Sequence, residues 1–163
     1  MRPRFQELEI SGVWLAGLVV HSDSRGWLAE VFRQDWFDSG SGPMHQPVMG
    51  YVSETLPGVV RGPHEHRFQT DLFVFAGPSD FLVVLWDNRA GSATAGRRIE
   101  LRLGETSPGI LLVPPGVVHG YKNVGRVAGR VLNFPDRLYR GAGGGEEVDE
   151  VRYEGCTDSP FRI

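Results

Sequence analysis

The chain has 163 residues, a formal net charge of −3 and a high count of turn formers, 22 Gly and 11 Pro. One hydrophobic core suffices at that length, so a single domain over residues 1–163 is expected, and 17 basic against 20 acidic residues leave no electrostatic footprint for nucleic acid or an anionic membrane. Cys156 is the only cysteine, which excludes an intrachain disulfide, fits a reducing cytoplasm and is read as structural; the first seven residues lack the apolar core of a signal peptide, and no apolar run is long enough to span a membrane.

Short apolar runs punctuated by Gly and Pro predict an all-β chain. In order, strands are expected over residues 9–20, 27–33, 49–54, 58–61, 71–76, 81–87, 98–103, 110–114, 117–122 and 130–134, with a late one over 148–154. Residues 34–37 read as a single helical turn, and residues 39–43 and 141–145 as Gly-rich loops. Ile99-Glu100-Leu101-Arg102-Leu103 alternates, so one face is buried and one is wet. Phe81-Leu82-Val83-Val84-Leu85-Trp86 is apolar throughout, so it is buried on both faces or lies at a subunit interface. The acidic run Glu146-Glu147-Val148-Asp149-Glu150 reads as a solvated edge. Together these elements point to a cupin-type jelly-roll β-barrel whose interior holds one ligand.

The chemistry-bearing residues cluster on two of these strands. Gly58-Val59-Val60-Arg61-Gly62-Pro63-His64-Glu65-His66 sets two histidines two apart, on one face of a strand. Ile110-Leu111-Leu112-Val113-Pro114-Pro115-Gly116-Val117-Val118-His119 delivers a third. Three imidazoles converging on one interior can move protons, bind a metal or hold a ligand.

The motifs resemble, in order, those of the dTDP-4-dehydrorhamnose 3,5-epimerase family. Asp23-Ser24-Arg25-Gly26-Trp27-Leu28-Ala29-Glu30-Val31-Phe32 is similar to its RGxFxExF signature, and Ser53 with Gly58-Val59-Val60-Arg61-Gly62-Pro63-His64 to SxxxxGVLRGLH. Asp87-Asn88-Arg89 with Ser92, Thr94 and Gly96 is similar to DLRxxSPTFG, and Val113-Pro114-Pro115-Gly116-Val117-Val118-His119-Gly120 to IPxGxAHGF. Tyr139 sits where the family carries a Tyr after its last core strand, and the order holds from about residue 10 to residue 153. The resemblance implies a nucleotide-linked 4-keto-6-deoxy sugar as substrate, no cofactor and a homodimer. Protons beside the ketone are removed on one face and returned on the other. It implies His64 as base, Tyr139 as acid, Arg61 at the enolate oxygen, His119 lining the pocket, and Arg25 and Glu30 at the nucleotide end.

The chain also departs from that pattern. The family's QxKLV run reads Gln69-Thr70-Asp71-Leu72-Phe73, so Asp71 replaces a Lys, and His66 replaces the Gln of LHxQ. The Asp that orients the family's base lies in a late WxDP stretch, which here reads Tyr153-Glu154-Gly155-Cys156. The two substitutions near the base have a shared explanation in the wider cupin superfamily. Gly58, His64, His66 and Asp71, with Pro114, Gly116, His119 and Asn123, resemble its metal-binding pattern. Three imidazoles and a carboxylate suit a divalent first-row metal. Three readings stay open: a sugar-nucleotide epimerase, a metal cupin using His64, His66, Asp71 and His119, and a cupin that binds a sugar nucleotide without turning it over.

Overall fold

The computed structural model describes residues 2–37 and 42–163. Its strands are β1 (Gln6–Glu7), β2 (Trp14–Gly17), β3 (Val20–Asp23), β4 (Gly26–Ala29), β5 (Tyr51–Thr55), β6 (Val60–Glu65), β7 (Asp71–Phe75), β8 (Asp80–Asp87), β9 (Arg98–Gly104), β10 (Gly109–Val113), β11 (Val117–Asn123), β12 (Gly129–Asn133) and β13 (Val151–Arg152). Every pairing is antiparallel. One sheet has six strands in the order β1-β2-β10-β7-β12-β5, the other has five in the order β13-β6-β11-β8-β9, and β3 pairs only with β4 as a hairpin. This is the jelly-roll arrangement expected, built as two facing sheets. Among the described residues no helix is long and apolar enough to cross a membrane.

Alternation along the strands builds three apolar layers. Phe73, Phe75, Leu111, Val113 and Val131 of the six-stranded sheet meet Phe81, Val83, Leu85, Leu103, Val117 and Tyr121 of the five-stranded sheet in the central core. Burying a side chain such as Phe75 or Phe81 is worth about 2–3 kcal/mol. The opposite residues of β7 and β10, Leu72, Val74, Ile110 and Leu112, pack under Trp36 and Phe37. The outer face of β8 and β11, with Val84, Trp86 and Val118, lies under Tyr153, Phe161 and Ile163. The apolar run Phe81–Trp86 of β8 is therefore covered on both faces by its own chain, the first of the two alternatives expected for it. β9 keeps its alternation, with Ile99, Leu101 and Leu103 turned inward.

Other expectations shift. The long strand expected over residues 9–20 breaks into β2 and the start of β3, with Gly12 in the left-handed region at φ 80° in the turn before β2. The strand expected over 27–33 stops at Ala29, and residues 34–36 form one 3-10 turn. The late strand shrinks to Val151–Arg152. Cys156 is exposed rather than packed. Of the loop expected over residues 39–43, Ser39, Gly40 and Ser41 lie outside the described residues.

Candidate active site

The site depends on an irregularity between β6 and β11. Their register pairs His119 with His64 but Tyr121 with Arg61, so Gly62 and Pro63 together face the single Gly120. In a regular strand, residues three apart point to opposite faces. One extra residue in β6 makes a bulge that turns Arg61 and His64 to the same side. Only glycine fits the crossing. Gly62 has φ 81°, and a Cβ there would lie 2.6 Å from the His119 carbonyl oxygen. A Cβ on Gly120 would lie 2.8 Å from the Arg61 carbonyl oxygen.

Four side chains meet beside the bulge. His64 lies near the end of β6, His66 just beyond it, Asp71 opens β7 and His119 sits in β11. Their candidate ligand atoms all lie within 4.8 Å of one another. Asp71 Oδ2 is 3.2 Å from His66 Nε2 and 3.3 Å from His119 Nε2. The far side of each ring is held. His119 Nδ1 donates to the Val117 carbonyl at 2.9 Å, and His66 Nδ1 donates to the Asp149 carbonyl. Asp71 Oδ1 accepts from Gln69 Nε2 and Asn133 Nδ2, both at 2.8 Å. Those bonds aim Oδ2 at the imidazoles. Asp71 Oδ2 and His119 Nε2 are buried and have no hydrogen-bond partner among the described residues.

The charges are strongly coupled. Burial opposes ionisation of Asp71, but the His119 and His66 imidazoles beside it outweigh burial and hold the carboxyl well below its usual range. Burial likewise opposes charging His66, yet the neighbouring Asp71 carboxylate pushes it up to about 9. His64 moves the other way. Burial first, then the charges of His119 and His66, push it down to about 2, so it is a neutral acceptor at physiological pH.

The cluster forms one wall of a cavity of about 1150 Å³, whose lining includes Ser53, Arg61, His64, Tyr139, Glu150 and Arg152. Arg61 donates through Nε to Thr55 Oγ1 at 2.8 Å and through Nη2 to the Glu54 carbonyl at 2.7 Å, which fixes it against β5. Tyr139 is 63% exposed, on the segment after β12. His119 and Asp71 stand behind the lining, buried. Arg25 and Glu30 do not line the cavity of their own chain. Arg25 is paired with Asp23 at the tip of the exposed β3–β4 hairpin, and Glu30 with Arg33.

The acidic run is a solvated edge only in part: Glu146 and Glu147 are exposed, but Asp149 and Glu150 are half-buried. The Asp149 carboxylate accepts the backbone N–H groups of Arg67, Phe68 and Gln69 at 2.8–3.0 Å, and so shapes the loop that carries His66 toward Asp71. Glu150 Oε1 lies 3.6 Å from His64 Nδ1 and is itself held by Arg152. Glu150 thus places a carboxylate beside His64. β13 brings it there by pairing Arg152 with His64 and Val151 with Glu65. The i, i+2 spacing of Glu150 and Arg152 in a short strand was the available signal.

The dTDP-4-dehydrorhamnose 3,5-epimerase family model matches residues 7–136. The chain belongs to that family. "Probable low-salt glycan biosynthesis epimerase Agl13" of Haloferax volcanii is 36% identical over 131 residues, 80% of this chain and 81% of that protein. The solved dTDP sugar isomerase of Desulfovibrio desulfuricans G20 superposes with a TM-score of 0.81 at 27% identity, covering 96% of this chain and 94% of its own. The dTDP-4-dehydrorhamnose 3,5-epimerase of Bacillus anthracis, solved with TDP and PPi bound, gives a TM-score of 0.74 at 25% identity over 84% of this chain and 79% of its own.

Proposed function

We propose that this epimerase-family chain acts on a nucleoside-diphosphate 4-keto-6-deoxy hexose of the dTDP class, removing and returning protons on the carbons beside the ketone. The observation that carries the reading is His64. It is a neutral imidazole on the wall of a sugar-nucleotide-sized cavity, with Glu150 behind Nδ1 and cations from Arg61 and Arg152 in the lining. His64 takes the proton, and the C–H electron pair moves into the ketone as an enolate. Arg61 holds the developing charge on oxygen, and Tyr139 returns a proton. Glu150 keeps the imidazole in one orientation and stabilises the imidazolium as it forms.

The nucleotide end is assigned to Arg25 and Glu30. Because neither lines its own chain's cavity, this role requires the hairpin of one copy to reach the cavity of another, in a homodimer. The hairpin supports that: Trp27 and Leu28 are exposed on a two-stranded sheet that pairs only with itself, and Val52 is exposed on the edge strand β5. A cytoplasmic setting, where nucleotide sugars are at hand, fits the single Cys.

Incubating the chain with dTDP-4-keto-6-deoxyglucose in deuterated water tests the reading. Label entering C3 or C5, and lost with His64→Asn, is the expected result. A panel of such sugars that bind but stay unlabelled would leave a sugar-nucleotide-binding protein without turnover.

A further inference from the structure

We propose that His66, Asp71 and His119 form a binding site for a divalent first-row metal ion, placed beside His64 so that the ion faces the ketone oxygen of the bound sugar. The site has the features of a metal centre before any ion is considered. Two imidazole nitrogens converge on one carboxylate oxygen, Asp71 Oδ2, at 3.2 and 3.3 Å. Metal–ligand bonds of about 2.1 Å at angles between octahedral and tetrahedral set neighbouring donors about 3.0–3.4 Å apart. His64, whose candidate ligand atom lies within 4.8 Å of these three, is reserved for the substrate because it lines the cavity with Glu150 beside its Nδ1.

The protons are the deciding detail. The Nδ1–H of His119 is committed to Val117 and that of His66 to Asp149, so each ring, when neutral, has only Nε2 to offer an ion. His119 Nε2 and Asp71 Oδ2 are both buried without a hydrogen-bond partner among the described residues. Lone pairs facing lone pairs in a dry site repel, and a buried unsatisfied acceptor is costly. A cation between them removes the conflict. A proton on His66 is the rival answer, but Gln69 opposes it. The Gln69 Nε2 that donates to Asp71 Oδ1 at 2.8 Å also lies 3.2 Å from His66 Nε2, so a protonated His66 would set one N–H against another. Reversing the amide would put its oxygen against the Asp71 carboxylate. The same hydrogen bonds to Nδ1 and Oδ1 are the outer contacts that orient metal ligands.

Two imidazoles and one carboxylate, with coordination positions left open, suit Fe(II), Mn(II), Ni(II) or Zn(II). The ion would act as a Lewis acid on the ketone oxygen and make the neighbouring C–H more acidic, with no change of oxidation state. It also explains why an acid, Asp71, stands where the family resemblance leads one to expect a Lys. The assignment of the ketone rests on the function proposed above; the metal site does not.

The test uses the untagged full chain, stripped with a chelator and dialysed against each of the four ions in turn, with Fe(II) kept anaerobic. Elemental analysis should find about one ion per chain, and the thermal midpoint should rise with metal concentration. His66→Gln and Asp71→Asn should each weaken binding at least about 100-fold while keeping the far-ultraviolet spectrum of the parent. Two variants guard against one failing to fold. No binding of any of the four ions, full binding in both variants, or full epimerase activity in the stripped protein would each overturn the proposal. A loaded chain that labels no keto sugar would uphold the site and sink the substrate assignment instead.

Discussion

Two carboxylates in this chain, Asp87 and Asp71, are almost fully buried, at 2% and 1% exposure, and they are treated in opposite ways. Asp87 ends β8 and receives five donors. Oδ1 accepts Arg89 N and Nε, and Oδ2 accepts Arg89 Nη2, Ser92 Oγ and Thr94 Oγ1, all between 2.6 and 3.1 Å. Asp71 has two donors on Oδ1, while Oδ2 lies 3.2 and 3.3 Å from two imidazole nitrogens and has no hydrogen-bond partner among the described residues. A carboxylate that serves architecture is saturated by its own loop. One that serves chemistry keeps an oxygen free. The run Asp87-Asn88-Arg89 with Ser92 and Thr94 is therefore a structural cap, although it carries as much of the family resemblance as the histidine motifs.

Activity should separate the two regions most widely. His64→Asn should lower turnover by about 10²- to 10⁴-fold with little change in thermal midpoint, whereas Asp87→Asn should leave turnover per folded chain unaltered. Steady-state kinetics on both variants check this, and equal losses would erase the distinction. Stability should reverse the ranking. Asp87→Asn removes the partner of a part-buried Arg89 and should cost about 3 kcal/mol in urea unfolding.

The same group sets an acid limit. The Arg89 hydrogen bonds outweigh burial and, with Ser92 and Thr94, hold Asp87 well below its ordinary value of 3.8. Its contribution is therefore complete above pH 3.8 and is lost as the pH falls through the lower folded value. Unfolding midpoints of the parent should drop across that interval and those of Asp87→Asn should drop less.

Gly62→Ala forces a Cβ against the His119 carbonyl in the left-handed region and should cost about 2 kcal/mol together with the register of His64. A variant with both unfolding midpoint and turnover intact would mean that the bulge tolerates a side chain.

Much of this was legible in the chain. Alternation and turn residues placed β7 through β12 to within about two residues. The spacing of His64, His66, Asp71 and His119 foresaw the cluster that the fold assembles. What escaped depends on pairing across long sequence distances. Glu150 and Asp149 look like solvated acids until β13 docks on β6, more than eighty residues earlier in the chain. Charge runs carry no record of such a partner. The break at Gly12 and the early end of β4 escaped because an apolar run does not announce a turn within it. Arg25 and Glu30 are singled out by motif, and nothing local reveals that they do not line the cavity of their own chain.

The bulge opposite Gly120 gives the site a parity. Which residues of β6 look inward is an odd-or-even property, and one inserted residue has switched it part-way along the strand. Loss of Gly62 or Pro63 would not shorten the site gradually; it would exchange inside for outside on one flank of the strand. A lineage could retune Asp71 or His66 one substitution at a time, converting one pocket chemistry to another. The count between Arg61 and His64 permits no intermediate, so it should be the last feature of this strand to drift, behind even the side chains it presents to the cavity.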